Sequence, residues 1–287
     1  MVHRDTRAGE NALRGVVLKG LENKVIGSIA SKVTTIMLNE QISPAMLSRL
    51  VVPSPELSRI IENGLQTGLY TGEPVTFPTL RDAFDAMGSP LSWEICMMGA
   101  LDCMSRALLR GSDMSHKEFL RHSMATAAGA RSIARHHGMP ELTFYLAGLF
   151  HDIGIPLLAH AKPDDYNQFP TMLMGSSMSL EHLEQRQFGF DHQEVGSTFL
   201  MTLTAPDAVW QTAAQHHFDG FISHPVISAV RISANVSHQV GCTLGIANAP
   251  PAMPPHCLTD VGLDETALVS LAGELATAAG LADRYAA

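Results

Sequence analysis

The sequence predicts an all-α protein built from two helical lobes, and three observations support this prediction. Apolar residues recur with a period of 3.6 along most of the chain, whereas the period-2 alternation typical of strands is nearly absent. Aromatic residues make up only 6% of the sequence while 15 Met are present, a composition that suits helix packing. Proline and glycine stand where the apolar-periodic segments begin and end.

The composition indicates a globular protein and makes nucleic acid and membranes poor partners. With 287 residues, the chain is long enough for one large domain or two lobes with a sizeable core. The net charge is −9 and no Lys/Arg stripe is visible, so we do not expect nucleic acid to bind. The longest apolar stretch, 92–109, is interrupted by Glu94, Asp102 and Arg106, and it falls short of the roughly 18–20 apolar residues of a membrane span.

The cysteines and the N-terminal stretch both favour the cytoplasm. The four cysteines have no CxxC spacing and indicate free thiols in a reducing compartment: Cys96, Cys103, Cys242 and Cys257. The first 15 residues are polar and lack the apolar core of a signal peptide. We therefore expect a cytoplasmic protein.

In the first lobe, residues 16–114, each predicted helix has a recognisable boundary. The segment before it, 1–15, is predicted to be a flexible lead or linker. The predicted helices span 17–38, 43–51, 55–64, 79–87 and 91–110. Pro55 suits the first position of the third helix, Gly64 is expected to close it, and Gly88 ends the fourth.

The second lobe, residues 115–245, is predicted to be a helical bundle around an apolar central helix. A capping-box pattern at Ser115 and Glu118 opens its first helix. Further helices are expected at 140–152, 178–188, 192–203, 206–217 and 225–240. The helix at 140–152 is apolar on almost all sides and is therefore expected at the centre. Residues 246–287 form a proline-rich connector and a last amphipathic helix at 264–282.

Histidines concentrate in the second lobe and suggest a metal site. Of the 14 His, 12 lie between His116 and His238. Imidazole and carboxylate together suit divalent zinc, iron, nickel or manganese. Glu118 and His122 are four residues apart and share a helix face, although helix capping alone explains Glu118 well. His192 stands near a helix start, where a site role and an ordinary N-terminal position are equally good interpretations.

Two adjacent pairs are stronger candidates. His151 and Asp152 end the most apolar helix of the chain, where the helix dipole disfavours a carboxylate and burial makes it costly unless it is paired or metal-bound. His216 and His217 end another helix, and their side chains point about 100° apart, so both cannot face one metal equally. One of them would ligate while the other contacts phosphate or the second lobe.

These residues and their surroundings resemble the HD superfamily of metal-dependent phosphohydrolases, and more closely its HDOD branch from bacterial signal-transduction proteins. The matching segments are VPSPELSRIIENG (52–64), TFPTLRDAFDAMG (76–88), FYLAGLFHDIGIPLL (144–158), EQRQFGFDHQEVGSTFL (184–200) and APDAVWQTAAQHH (205–217). The resemblance implies an HD-like bundle and a divalent metal such as Mn, Fe, Zn, Ni or Mg. The metal ligands it implies are His122, His151, Asp152, His192, His216 and, at the closing position, Asn235. It implies catalytic roles for Asp152 and His217.

Two departures from the pattern bear on activity. The superfamily closes its metal site with Asp, but Asn235 stands there, and Asn offers a carbonyl oxygen without a charge. The segment QHHFDGFISHP (215–225) also lacks the Glu and the GYP of the cyclic-di-GMP phosphodiesterase branch. We therefore expect a regulatory HDOD module with a degenerate metal site, which acts by binding a nucleotide-like ligand or a signalling partner. A working phosphohydrolase or phosphodiesterase on a nucleotide-like substrate is the alternative, and a scaffold with vestigial His is a third reading. Whether the chain forms a homodimer stays open.

Overall fold

The computed structural model describes residues 6–39, 41–218, 220–246, 250–251 and 253–285, and the regular elements among them are all helices. The helices of the first lobe are α1 (Thr6–Glu22), α2 (Lys24–Met37), α3 (Pro44–Val51), α4 (Pro55–Thr67) and α5 (Leu80–Leu108). The second lobe contains α6 (His116–His136), α7 (Glu141–Phe150), α8 (Gly154–Ala161), α9 (Pro163–Tyr166), α10 (Phe169–Leu173), α11 (Leu180–Phe188), α12 (His192–Thr202), α13 (Asp207–Gln215) and α14 (Pro225–Gln239). The chain continues with α15 (His256–Asp260) and α16 (Glu265–Tyr285). The predicted all-α fold is confirmed.

Helix α6 forms the centre of the second lobe and packs against α7, α14 and α16. Helix α5 gathers α2, α3 and α4 in the first lobe and also contacts α6, α7 and α8. Helix α7 is buried along most of its length, as its apolar composition predicts. The segment Glu141–Ala161 is apolar and long enough to cross a membrane by length and composition, but 89% of its most apolar window is buried inside the protein.

The start of the chain differs from the prediction. Helix α1 begins at Thr6, inside the stretch 1–15 that was predicted to be a flexible lead, and residues 1–5 lie outside the described part of the chain. The first turns of α1 are polar, so the sequence gives no apolar pattern there. Its later residues, such as Val16 and Val17, are buried, and the helix packs against α8 and α12. The predicted helix 17–38 is in fact divided at Asn23, whose side chain accepts a hydrogen bond from the backbone N of Val25 at 3.1 Å and caps α2.

Gly64 does not end its helix as predicted. Helix α4 continues to Thr67 and ends at Gly68, which adopts the left-handed conformation with φ 76°. A Cβ at Gly64 would lie 2.2 Å from the ring of Tyr70, so glycine is needed there for close packing rather than for chain reversal. Gly88, with φ 75°, interrupts α5 between the two helices that the sequence predicts.

Helices α8, α9 and α10 occupy residues for which no element was predicted. This region is rich in short turns, with prolines at the starts of α9 and α10. Tyr166, Phe169 and Phe188 form an aromatic cluster with ring centroids 4.9–6.5 Å apart, which fixes these short helices against α11. They thereby form one side of the candidate site.

Candidate metal centre

His122 and His151 bring two imidazoles together between α6 and the end of α7. Nδ1 of His122 lies 2.9 Å from the backbone O of Cys242, and Nδ1 of His151 lies 2.8 Å from the backbone O of Gly148. A carbonyl only accepts, so each ring donates through Nδ1 and turns its Nε2 toward the cluster. The two Nε2 atoms are 3.3 Å apart. Burial lowers the pKa of His122 to about 4, although the Asp152 carboxylate opposes this shift.

Asp152 occupies the centre of the cluster and is 2% exposed. Its Oδ2 lies 3.1 Å from Nε2 of His151 and 3.5 Å from Nε2 of His122. Burial raises its pKa, but His151 and His216 outweigh burial and hold the pKa well below the ordinary value. The carboxylate is therefore charged and shared between histidines of several helices.

His192 begins α12, and a buried carboxylate from α11 orients it. Oε2 of Glu184 lies 2.6 Å from Nδ1 of His192 and accepts a bond from its backbone N at 2.8 Å. The other oxygen of Glu184 accepts from the hydroxyl of Tyr166. Burial lowers the pKa of His192, but Glu184 outweighs this and raises the pKa to about 10. Nε2 of His192 is buried without a hydrogen-bond partner and lies 3.6 Å from Oδ1 of Asp152.

The pair at the end of α13 supplies two more imidazoles. Nδ1 of His216 lies 3.0 Å from the backbone O of Ala213, and its Nε2 lies 3.0 Å from Oδ1 of Asp152. The ring of His217 lies 4.1 Å from that of His216 and 5.2 Å from that of His192, measured between centroids. Burial, together with these neighbouring imidazoles, lowers the pKa of His217 well below its ordinary value.

A fully buried arginine supports this pair from α14. Nε of Arg231 donates to the backbone O of His216 at 3.0 Å, and a terminal nitrogen donates to the backbone O of Phe218. On the opposite side, the side chain of Gln193 accepts from the backbone N of His217 at 3.0 Å. These bonds fix the chain where α13 ends. The sequence predicts a metal ligand at this point but not the residues that support it.

The structure brings most of the predicted site residues together. They form two groups that share Asp152, and within each group the candidate donor atoms lie within 4.8 Å of one another. The groups are His122, His151 and Asp152, and Asp152, His192, His216 and His217. The sequence predicts that one of His216 and His217 ligates while the other contacts phosphate or the second lobe. In the structure α13 ends at Gln215, and candidate donor atoms of both rings lie in the group that contains Asp152 and His192.

Asn235, predicted at the closing ligand position, uses both ends of its side-chain amide in hydrogen bonds to other residues. Its Nδ2 donates to the backbone O of Pro251 at 2.7 Å, and its Oδ1 accepts from Gln239 at 2.7 Å. Glu118 is outside both groups. Its backbone N donates to Ser115 Oγ at 3.2 Å, as a helix start requires.

A half-open cavity of about 410 Å³ adjoins the cluster. His122, His151, Asp152, His192 and His217 line one side of it. The remaining walls come from Ile155, residues 173 and 176–182, Ala234, His238, Leu244, Pro250 and Pro251. His238, whose Nε2 is buried without a hydrogen-bond partner, received no role in the sequence analysis.

The residues present fit a divalent metal. Four Nδ1 atoms, those of His122, His151, His192 and His216, are held by backbone carbonyls or a carboxylate, and their Nε2 atoms converge on one aspartate. Metal-ligating histidines in proteins are oriented in this way. The Nε2 of His192 is buried without a hydrogen-bond partner, and a cation that displaced its proton would satisfy it.

Comparison with known proteins identifies the family. The model of the HDOD domain matches residues 70–218, which is more than half of the chain. This chain therefore belongs to the HDOD family, the branch that the sequence motifs resemble. No curated protein matches it.

Solved structures share the fold. An HDOD domain protein of unknown function from Geobacter sulfurreducens superimposes with a TM-score of 0.71 at 18% identity, covering 90% of this chain and 91% of its own. A proposed signal transduction protein from Marinobacter aquaeolei VT8 gives a TM-score of 0.73 at 16% identity, covering 99% of this chain and 67% of its own. A proposed phosphohydrolase from Shewanella amazonensis SB2B gives a TM-score of 0.68 at 13% identity, covering 94% of this chain and 98% of its own. At these identities the similarity defines the fold alone.

Proposed function

We propose that this protein is a cytoplasmic signalling module whose HD-type site binds a divalent metal and, beside it, a small ligand. The observation that carries the proposal is the convergence of oriented imidazoles on Asp152. Ligand binding in the adjoining cavity would then alter contacts with a signalling partner. The membership in the HDOD family and the resemblance to a proposed signal transduction protein support a regulatory role.

His122, His151, Asp152, His192, His216 and His217 would hold the metal. A divalent ion in this setting supplies Lewis acidity toward a phosphate oxygen or a water molecule. The protein supplies the orientation: the bonds to Nδ1 fix which nitrogen of each ring faces the cluster. Asp152 supplies negative charge, and burial of the cluster strengthens its attraction for a cation.

The position of Asn235 favours regulation over catalysis. A carboxylate is expected there in the hydrolytic relatives, and cation sites tighten with ligand charge. Here the amide instead donates to the backbone O of Pro251 and accepts from Gln239, which lies one turn further along α14. The negative charge of the site is thus lower than in the complete superfamily pattern.

A metal-dependent phosphohydrolase is the second candidate function. It is favoured by one observation, which is that the cluster opens directly onto a cavity large enough for a small ligand. In that case His217 and His238, which both line the cavity, are placed to contact a phosphate group.

One experiment separates the two functions. Protein loaded with Mn²⁺ or Zn²⁺ is assayed for release of phosphate from nucleoside mono- and triphosphates and from cyclic dinucleotides, and its thermal unfolding is followed with and without metal. We expect metal to raise the melting temperature, by mass action, without appreciable turnover. Robust turnover that needs metal and disappears in Asp152→Ala would establish the hydrolase instead. Unfolding that is unaffected by metal would contradict both functions.

A further inference from the structure

We infer that the cavity beside the cluster selects a ligand with one anionic group on an apolar body, and that Glu181 selects against a second negative charge. This inference rests on the proposed metal-binding function. The anionic group would lie at the histidine cluster, and the body would lie along the apolar wall. A phosphate monoester with an aromatic group represents this class.

The capacity of the cavity to bind an anion rests on histidines. Among the lining residues that the structure describes, the basic side chains are histidines, and none is Lys or Arg. Residues 247–249 and 252, which adjoin lining residues Pro250 and Pro251 in the chain, read Ala, Asn, Ala and Ala. Polyphosphates and multiply charged ligands are usually held by several Lys and Arg or by helix N-termini. Among the lining residues that the structure describes, a second, distant anionic group would therefore find no Lys or Arg to pair with.

Apolar side chains form much of the remaining wall. They are Ile155, Leu173, Met178, Leu180, Leu244, Pro250 and Pro251. Serines 176, 177 and 179 add neutral polar groups at the side formed by the segment before α11. Burial of an uncharged ring against such a wall is favourable, whereas its neutral serines compensate the desolvation of a charge less well than a fixed cation would.

Glu181 places a negative charge in this wall. It lies in the first turn of α11, where the positive end of the helix dipole favours a carboxylate, so the helix N-terminus is already matched by the protein's own charge. Its Oε1 lies 3.8 Å from Nδ1 of its neighbour His182, and that same nitrogen lies 2.6 Å from the hydroxyl of Ser179. An anion that reaches this side of the cavity lies beside the Glu181 carboxylate, which repels it.

Three probes test the inference by calorimetric titration of Mn²⁺-loaded protein: inorganic phosphate, phenyl phosphate and 4-carboxyphenyl phosphate. The second and third share one body and differ by a single carboxylate remote from the phosphate. We expect phenyl phosphate to bind about tenfold more tightly than inorganic phosphate, because its ring is buried. The added carboxylate should weaken binding about three- to tenfold through repulsion and desolvation.

Variants assign the selection to Glu181. Glu181→Gln should reduce the penalty of the added carboxylate at least about twofold, whereas Glu62→Gln, on the separate surface of α4, should leave it unchanged. Each of three results would overturn the inference. The wild type could bind 4-carboxyphenyl phosphate as tightly as phenyl phosphate or more tightly, it could bind phenyl phosphate no more tightly than inorganic phosphate, or Glu181→Gln could leave the penalty of the carboxylate unchanged. Metal content is measured on the same samples. Protein that retains no metal contradicts the proposed function and this inference with it. Metal-loaded protein whose affinities for the three probes do not follow the expected order contradicts this inference alone.

Discussion

Oε2 of Glu184 accepts two hydrogen bonds from one residue, His192: one from the ring Nδ1 at 2.6 Å and one from the backbone N at 2.8 Å. The carboxylate thus fixes both the start of α12 and the direction of the imidazole that the helix presents. Glu184 is fully buried, and its other oxygen holds Tyr166 of α9. One side chain therefore connects the candidate metal centre to the short helices that form a side of the cavity.

Glu184→Gln should weaken metal binding about 10- to 100-fold, as expected when the group behind a ligating histidine is altered. The amide keeps the size of the side chain but removes the negative charge that strengthens His192 as a metal ligand. Metal affinity is measured by competition with a chromophoric chelator. The matched control is Glu194→Gln, because Glu194 belongs to the capping box of the same helix without contacting the cluster. Equal affinity in the wild type and Glu184→Gln would contradict the role assigned to Glu184.

The same pair predicts a pH dependence of the metal-free protein. Despite burial, Glu184 raises the pKa of His192 from 6.5 to about 10. A raised folded-state pKa stabilises the protein fully below pH 6.5, and this contribution is lost as the pH rises toward 10. The difference in unfolding free energy between wild type and Glu184→Gln should therefore shrink over that interval. Urea unfolding in the presence of a chelator measures it, and a difference that grows with pH would be the opposite of this expectation.

Arg231→Met should destabilise the protein by about 2–4 kcal/mol, because it leaves the buried carbonyl of His216 and the partly buried carbonyl of Phe218 without their donors. Arg231→Lys should recover only part of this loss, since a single ammonium lacks the planar fork of donors. The control is Arg81→Met, which removes an exposed ion pair with Asp85 and should change stability by less than about 1 kcal/mol. Comparable losses at both positions, measured by chemical unfolding, would remove the support role of Arg231.

Asn235→Asp should destabilise the protein by about 1–3 kcal/mol whether or not metal is present. The carboxylate cannot donate to the backbone O of Pro251, which accepts from Nδ2 at 2.7 Å. Thermal melts with metal and with chelator check this, and Asn235→Ala serves as the control for loss of the donor without new charge. A higher metal affinity in the aspartate variant would instead mean that α14 can present this side chain to the cluster.

The all-helical fold and most of the cluster could be predicted from the sequence because both depend on local signals. Helical periodicity, Pro at helix starts and the pair His151-Asp152 at the end of an apolar helix are visible within a few residues. The resemblance to the HDOD family then joins distant segments. The features that could not be predicted depend on tertiary contacts. Gly64 is required by the ring of Tyr70, and the side chain of Asn235 donates to the backbone O of Pro251. The roles of Glu184, Arg231 and His238 likewise arise only when separate helices meet.

The metal content of protein purified without chelator or a metal-affinity tag tests the central claim most directly. Elemental mass spectrometry should find at least about one divalent ion per wild-type chain, because structural and catalytic metal sites of oriented histidines bind tightly enough to survive purification. His151→Ala removes the ligand between His122 and Asp152 and should lose most of that metal. The control His136→Ala should retain the metal, because the ring of His136 bonds the backbone O of Ser132 away from the cluster. Equal metal content in wild type and His151→Ala, or wild-type protein that takes up no metal even when it is supplied, would contradict the assignment of this cluster as a metal centre.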